Sequence, residues 1–240
     1  MVALVSASSL MLAACSGSGD AEPTTSPTPT ATTAPSAAQY WEQAIATTAT
    51  AGGISLEAQL VTNVEGFQRV EVGEGYVHLP RASGDMLWTD DRSVLREIRV
   101  PSGHYVELDG TWYEESEDIP TTVAFTPLAG LDTASEIREG SQEEVLGVPT
   151  RTFEATVAAD ARLMGVSTEE LSVMDPTSGE MTATIWVDEE LRIVRIVRDY
   201  RTTSLDGDPI EAQALFLFSD FGNDRPIDVP ETADAIPAPA

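Results

Sequence analysis

Hydrophobic and polar residues alternate along much of the chain after residue 53. In residues 54–60, Ile, Leu, Ala and Leu occupy the even positions, while Ser, Glu and Gln occupy the odd ones. A period of two is typical of a β-strand with one buried face. The same pattern predicts further strands at 67–79, 86–89, 94–100, 104–108, 111–114, 134–146 and 150–157.

Short turns between these runs predict antiparallel neighbours. The dipeptide Asp109-Gly110 separates two of the runs and is the strongest two-residue hairpin signal. The last third of the chain contains three more predicted strands, at 180–187, 191–203 and 210–218, with turns of a few residues between them. No alternation of strand and helix of the parallel type is visible, so the sequence favours a large antiparallel sheet.

Three segments have the spacing of amphipathic helices. Residues 39–50 place Tyr40 and Trp41 on one apolar face and are followed by a pair of glycines. Two further helices are predicted among the strands, at 120–133 and 158–174. The sequence therefore predicts an α+β fold, in which a few helices pack on one face of a large antiparallel sheet.

The N-terminal segment carries a targeting signal. Residues 1–14 are apolar and uncharged, which is typical of a secretory signal peptide, and they are too few to cross a bilayer. The sequence Leu-Ala-Ala-Cys at 12–15 resembles a bacterial lipobox, and no apolar core surrounds Cys15 that would favour a buried structural cysteine. We expect Cys15 to be acylated, which would anchor the mature protein to the outer face of the cell membrane. Because the segment has no Lys or Arg, we expect the natural start to lie upstream of its first residue.

Composition also predicts the domain boundaries. Residues 15–37 contain the lipidated cysteine followed by a stretch rich in Ser, Thr, Pro and Ala, which cannot bury enough apolar surface to fold. We expect this stretch to be a disordered tether. Residues 38–230 then form a single domain, and residues 231–240 form a flexible tail.

The charge balance excludes several functions. The 240 residues include 40 Asp and Glu against 13 Arg and no Lys, which gives a formal net charge of −27. Without Lys the chain has neither a Schiff-base residue nor a P-loop, and so acidic a surface repels nucleic acids and anionic membranes. Two His and one Cys are too few for the usual zinc sites. We therefore expect no metal, no cofactor and no nucleic-acid partner.

Candidate catalytic residues have little support. Neither His78 nor His104 occurs with the Ser and Asp pattern of a hydrolase, so both are expected to be ordinary strand residues. The acidic runs 114–118 and 188–190 lie at predicted turns and lack the spacing of a calcium loop. A glycosidase with paired carboxylates is disfavoured for the same reason. We do not expect an enzyme, and no catalytic residue is assigned.

Four arginines follow each other at intervals of three residues in the predicted strand 191–203. They are Arg192, Arg195, Arg198 and Arg201. Residues three apart in a strand point to opposite faces, so the four do not form one basic stripe. Pairing with neighbouring acids is the expected role.

Several short motifs resemble the LppX and LprG group of actinobacterial cell-envelope lipoproteins, which are similar in fold to the lipoprotein carriers LolA and LolB. The motifs are Ile-Trp-Val-Asp at 185–188, Leu-Arg-Ile-Val-Arg at 191–195, Phe-Ser-Asp-Phe-Gly at 218–222 and Pro-Ile-Asp-Val-Pro at 226–230. The lipobox, the tether, the first helix and the hairpin at 109–113 occur in the same order, so the resemblance covers most of residues 38–230. It implies a LolA-like, strongly curved antiparallel half-barrel, whose concave face is covered by a few helices. The apolar cavity between them would hold the acyl chains of a lipid or lipoglycan.

The apolar residues of the two inserted helices are the candidates for the cavity wall. The same side chains could instead pack a closed core, and the sequence leaves both interpretations open. Finding both helices on the convex side of the sheet would exclude the first. The candidates are Phe125, Leu128, Leu131, Leu163, Met164, Leu171 and Met174.

Two functions remain. The first is a non-enzymatic, monomeric lipoprotein of the cell envelope that binds or transfers a lipid or lipoglycan. The alternative is a membrane-tethered sensor or interaction module, which binds another protein through its acidic surface or an exposed sheet edge and has no lipid ligand. A cavity of roughly several hundred Å³ favours the first function, whereas a filled core with an exposed apolar patch favours the second.

Overall fold

The computed structural model describes residues 35–64, 66–108, 110–115, 123–164, 171, 178–231 and 235–237. Residues Pro35–Ala240 group into one compact unit. The predicted signal peptide, Cys15, most of the predicted tether and Met174 lie outside the described residues. In the part of the chain that is described, no helix is long and apolar enough to cross a membrane.

Helix α1 (Ala37–Ala49) opens the described unit and confirms the first predicted helix. Ser36 caps it, because its hydroxyl accepts a hydrogen bond from the Gln39 amide at 3.3 Å while the Gln39 side chain accepts one from the Ser36 amide at 2.8 Å. The helix buries Trp41, Ala44 and Thr48, which lie at helical spacing on the face turned to the sheet.

Twelve strands form one sheet in the order β12-β6-β5-β4-β3-β2-β1-β11-β10-β9-β8-β7. Neighbouring strands run antiparallel, except that β12 runs parallel to β6. The strands are β1 (Gly53–Val64), β2 (Phe67–His78), β3 (Ser83–Thr89), β4 (Val94–Val100), β5 (Gly103–Leu108), β6 (Thr111–Glu115), β7 (Ser135–Val145), β8 (Val148–Val157), β9 (Glu180–Val187), β10 (Ile193–Thr203), β11 (Pro209–Ser219) and β12 (Ala235–Pro237).

The predicted α+β architecture, a curved antiparallel half-barrel with few helices, is confirmed. Strands β4 and β9 begin and end at the predicted residues, and the large core lies on the concave face under α1. Three 3₁₀ turns pack on the same face, at Val123–Phe125, Leu131–Thr133 and Ala161–Met164. The segments inserted among the strands therefore lie on the side that the sequence predicts.

The helix predicted over 120–133 is wrong for the described residues 123–133, which form two 3₁₀ turns separated by a hydrogen-bonded turn. Pro127 lacks the amide that a continuous helix would use, and its ring disfavours helical geometry in the preceding residue. Gly130 has a φ of +79°, a left-handed conformation that ends a helix. Apolar spacing predicted the buried face correctly, but these two residues prevent the regular helix.

Two other predicted segments are described in part. Within the predicted helix 158–174, the described residues include the 3₁₀ turn Ala161–Met164 and a helical Leu171. Within the predicted tail 231–240, residues Ala235–Pro237 form β12 and pair with β6. The tail therefore contributes three residues to the sheet.

The strand register separates an apolar concave face from a mixed convex face. The even-numbered residues of β1 from Ile54 to Leu60 are buried in the core. Opposite them on β2 lie Gly73 and Gly75. A Cβ on Gly73 would come within 2.7 Å of the Trp88 ring, so glycine makes room there for a large side chain of β3.

The two edges of the sheet differ. At one edge, β7 exposes a series of carboxylates, and its pairing with β8 is interrupted by two register shifts. At the other edge, the short strand β12 covers β6. The exposed carboxylates of β7 are Glu136, Glu139, Glu143 and Glu144.

Replacing Thr48 by Val tests how α1 is attached to the sheet. The Thr48 hydroxyl donates to the Ala44 carbonyl oxygen at 2.7 Å and accepts from the Ile193 amide of β10 at 2.8 Å. Thr48→Val leaves that buried amide without a partner, so we expect a loss of about 1–3 kcal/mol in the free energy of unfolding, measured by chemical denaturation. Thr47→Val is the matched control, because this neighbouring side chain is only half-buried. Equal effects of the two substitutions would contradict the assigned role.

Candidate functional site

The candidate site is the concave face beneath two stretches of chain that cross it. We call residues 123–133 and 161–164 the covering segments. Their buried side chains belong to the main hydrophobic core, so the segments pack directly on the sheet. These buried residues are Ala124, Phe125, Leu131, Ala161 and Met164.

Small side chains line the sheet beneath the covering segments. Ala214 of β11 and Ala183 of β9 flank Arg198 of β10 in register, and Ala155 of β8 follows Ala183. We call these three buried alanines the alanine row. Their small methyl groups let the covering segments lie close to the sheet. The adjacent row carries large residues instead, namely Phe216, Ile196, Ile185 and Phe153.

Arg198 connects the alanine row to both covering segments. The residue is 1% exposed. Its Nη2 donates to the main-chain oxygens of Pro127 at 2.6 Å and Ala129 at 2.7 Å, and its Nη1 donates to the main-chain oxygen of Leu163 at 3.3 Å. One guanidinium therefore attaches two separate stretches of main chain to the middle of the sheet.

The Arg198 guanidinium remains charged in this apolar setting. Burial lowers the pKa of Arg198 from its ordinary value to about 10, because desolvation disfavours the charged form. This value is well above neutral pH, so the cation persists. Among the described residues no carboxylate forms an ion pair with it, and its recorded partners are neutral carbonyl oxygens.

The first covering segment has two further attachments. The indole nitrogen of Trp41 in α1 donates to the main-chain oxygen of Leu131 at 2.9 Å, and this hydrogen bond is buried. The hydroxyl of Thr133 accepts from the amide of Ala158 at 2.9 Å, which joins the two stretches of chain. The end of the first segment is therefore fixed to α1, whereas its centre depends on Arg198.

Six of the seven predicted wall residues are described and lie on the concave side of the sheet, although contact with a ligand stays a prediction. Fully buried residues are Phe125, Leu131 and Met164, half-buried residues are Leu128, Leu163 and Leu171, and Met174 lies outside the described residues.

The concave face becomes more polar toward β4 and β5. Glu97 is 3% exposed, and one carboxylate oxygen accepts a hydrogen bond from the Trp88 indole at 3.1 Å. The other oxygen lies 2.7 Å from Nε2 of His104. The His104 ring meets the edge of Phe125 with a centroid separation of 6.5 Å. This buried polar cluster therefore adjoins the first covering segment.

The four arginines spaced by three lie on alternating faces of β10 or just before it. Arg192 and Arg201 form ion pairs with carboxylates at 2.8 Å and 3.6 Å, as predicted. Arg195 stacks over the ring of Trp186 at 4.3 Å on the convex face. For Arg198 the expected acid pairing is wrong within the described part of the chain, since this residue donates to main-chain oxygens.

Two solved structures share this architecture. LppX, a lipoprotein of Mycobacterium tuberculosis, superposes with a TM-score of 0.55 at 14% identity, over 79% of this chain and 96% of LppX. LprF of Mycobacterium bovis superposes with a TM-score of 0.52 at 12% identity, over 81% of this chain and 96% of LprF. The chain has the LppX fold. No known sequence family and no curated protein matches the sequence.

The LppX fold confirms the architecture that the short sequence motifs implied. Almost the whole length of LppX and LprF is matched, so the likeness includes the complete sheet of those proteins rather than one hairpin. At such low identity the similarity establishes the fold alone. The role of the concave face has to be argued from the side chains of this chain.

Sequence reasoning missed Arg198 and the alanine row. A signal for the position of Arg198 was present, because Ile196 and Tyr200 lie two residues before and after it and both face the core. Its partners could not be read from the sequence. Pro127 and Ala129 lie 71 and 69 residues away along the chain.

Replacing Arg198 by Met tests whether the guanidinium holds the covering segments. Arg198→Met replaces the arginine by an unbranched apolar side chain and leaves three main-chain oxygens without their donor. We expect the free energy of unfolding to fall by about 1–3 kcal/mol. Hydrogen exchange should rise most in residues 123–133 and 161–164, measured by mass spectrometry on peptic peptides.

Arg201→Met is the matched control on the same strand. Arg201 points to the convex face and forms only an exposed ion pair with Glu211. We expect its effect to stay within about 0.5 kcal/mol and exchange in the covering segments to remain unchanged. Exchange that rises equally across the whole sheet in Arg198→Met would contradict a local attachment.

Proposed function

We propose that the protein is a non-enzymatic lipoprotein of the cell envelope that binds or transfers a lipid or lipoglycan. The observation that carries the proposal is the alanine row of the concave face, covered by segments that lie on it as short turns. A row of methyl groups between rows of larger side chains suits an extended alkyl chain. Displacing the covering segments would open that surface without breaking the sheet.

The side chains around this surface support an acyl ligand. Met86, Met164 and Met181 belong to the same buried core. Methionine is flexible and polarisable, so it repacks readily around apolar ligands of different shape. Binding would bury the acyl chain at a gain of about 25 cal/mol per Å² of apolar surface removed from water.

The N-terminal sequence supports a place at the membrane. In this proposal Cys15 is acylated, the residues between it and α1 are the tether, and the unit from α1 to β12 is the lipid-binding domain on the outer face of the cell membrane. A tether of this length in an extended conformation reaches roughly 70 Å at about 3.1 Å per residue. This length would let the domain meet both its own membrane and acceptors beyond it.

A protein-interaction module is the second candidate. Its support is an apolar patch on the convex face, where Val70, Val72 and Leu87 are between 38% and 51% exposed. Patches of this kind can mark contact surfaces between proteins. This candidate needs no ligand on the concave face, so a binding experiment separates the two.

Native mass spectrometry with solvent extraction tests the lipid-binding function. The full chain carrying Cys15→Ser avoids acylation and can be purified without detergent. We expect a mass excess that extracts into organic solvent as a lipid with one or more acyl chains. A protein that has its bare sequence mass, and takes up nothing on exposure to envelope lipids, would contradict the proposal.

Filling the alanine row tests where such a lipid lies. Ala155→Leu places a larger side chain on the concave face, and we expect it to reduce the extracted lipid several-fold while the lipid-free protein keeps its thermal midpoint. Thr156→Leu is the matched control, since Thr156 is exposed on the opposite face of β8. If the row is instead packed solid, Ala155→Leu should destabilise the fold by about 1–3 kcal/mol through overpacking.

A further inference from the structure

We propose that the guanidinium of Arg198 binds the carboxylate of a long-chain fatty acid. The proposal rests on the proposed function, because the alkyl chain of that acid would lie on the concave face. It assigns the charged end of the ligand to one residue in the middle of an apolar surface. In the structure, the main-chain oxygens of Pro127 and Ala129 accept from Nη2 and that of Leu163 accepts from Nη1, so the covering segments occupy the donors that a carboxylate would use.

The first argument is the cost of the buried cation. Arg198 is 1% exposed and, within the described residues, is balanced by carbonyl dipoles rather than by a carboxylate. A buried charge without a counter-charge is unfavourable, and its lowered pKa reflects that cost. A chain that needed only to attach its covering segments could do so with a neutral donor, as Trp41 does at Leu131. A charged donor is explained if its partner is at times an anion.

The second argument is the geometry of the hydrogen bonds. Two main-chain oxygens lie within 2.7 Å of the same nitrogen, and a third oxygen lies 3.3 Å from the other terminal nitrogen. The donors therefore point out of the sheet toward the covering segments. A carboxylate has two oxygens in one plane and pairs with the planar guanidinium through two parallel hydrogen bonds. It can replace carbonyl oxygens at this position while Arg198 itself stays in place.

The third argument is the surface beside the guanidinium. Ala183 and Ala214 flank Arg198 in register, and Ile196 and Phe216 lie in the next row. An alkyl chain that begins at the guanidinium can follow the alanine row toward Ala155. A phosphodiester headgroup would bring further polar groups onto the apolar surface beside Arg198, where they would lose their hydrogen bonds to water without gaining new partners. The surroundings therefore favour a carboxylate.

Exchange of partners gives a reversible cycle without any covalent step. When the acid enters, its carboxylate takes the donors of Arg198, and the main-chain oxygens of Pro127, Ala129 and Leu163 turn to water as the covering segments move outward. When the acid leaves, the same oxygens return to the guanidinium. The low dielectric of the concave face strengthens the charged pair relative to the neutral one.

A comparison of palmitate with methyl palmitate tests the inference. The two probes share the alkyl chain and differ in the carboxylate, so the ratio of their dissociation constants reports on Arg198. With the delipidated full chain carrying Cys15→Ser, we expect palmitate to bind roughly tenfold more tightly than the ester or better, where tenfold corresponds to about 1.4 kcal/mol. Binding is measured by titration below the concentration at which palmitate forms micelles.

Variants locate the effect. In Arg198→Met the ratio of the two dissociation constants should fall to about one. In Arg198→Lys part of the preference for palmitate should remain, because the charge is kept without the planar pair of donors. In Arg201→Met the ratio should be unchanged. The ratio is the readout because loosened covering segments would alter the binding of both probes together. A second readout needs no variant: the carbon-13 shift of labelled palmitate should show a carboxyl group that stays ionised to lower pH when bound, since a nearby cation lowers its pKa.

The outcomes separate this inference from the proposed function. Equal affinities for palmitate and its ester in the unsubstituted domain would overturn the role of Arg198 and leave lipid binding in place. A preference for palmitate that survives in Arg198→Met would also overturn it. Failure of both probes to bind would overturn it as well, and together with a bare mass in the extraction experiment would overturn the proposed function.

Discussion

A guanidinium buried beneath the chain must have hydrogen-bond acceptors, and Arg198 takes them from the main chain that crosses above it. This constraint is met because the covering segments, in which Pro127 and Gly130 prevent a regular helix, form turns where they pass over β10. Carbonyl oxygens inside a helix are used by its own amides, whereas those of Pro127 and Ala129 lie in turns and are free to accept. It also explains the small neighbours, because Ala183 and Ala214 allow main chain to approach the sheet.

The concave face is covered in two different ways. Helix α1 is attached by Thr48 to the amide of Ile193 and by Trp41 to the covering segment, through buried hydrogen bonds between neutral groups. The centres of the covering segments depend on a charged donor whose partners are replaceable. Helix α1 is therefore a fixed cover of the concave face, and the covering segments beside it are an exchangeable one. Such an arrangement combines a rigid frame with segments whose attachment to the sheet can be exchanged.

Local patterns in the sequence were sufficient to predict most strands of the sheet. Alternation predicts β4 and β9 to the residue, since each has neighbours on both sides that bury one face. The helix expected at 120–133 fails because apolar spacing reports burial, and Pro127 and Gly130 decide the backbone. Similar spacing can thus arise in a segment that packs without helical hydrogen bonds.

The candidate site was predicted only in outline. Apolar spacing brought Phe125, Leu131 and Met164 to the correct face, because burial follows from local composition. The use of Arg198 depends on contacts between residues about 70 positions apart, which only the folded chain creates. Short motifs pointed to the LppX fold, and the superposition confirms it. No local pattern in the sequence identifies a ligand.

The unequal edges of the sheet have a consequence for the protein at high concentration. An open antiparallel sheet offers unpaired amides at its ends, where two copies that meet edge to edge could pair. The acidic, irregular strand β7 repels its own copies at one end, while β12 occupies the donors and acceptors of β6 at the other. The irregular strand β7 and the short strand β12 therefore both oppose edge-to-edge aggregation of this protein.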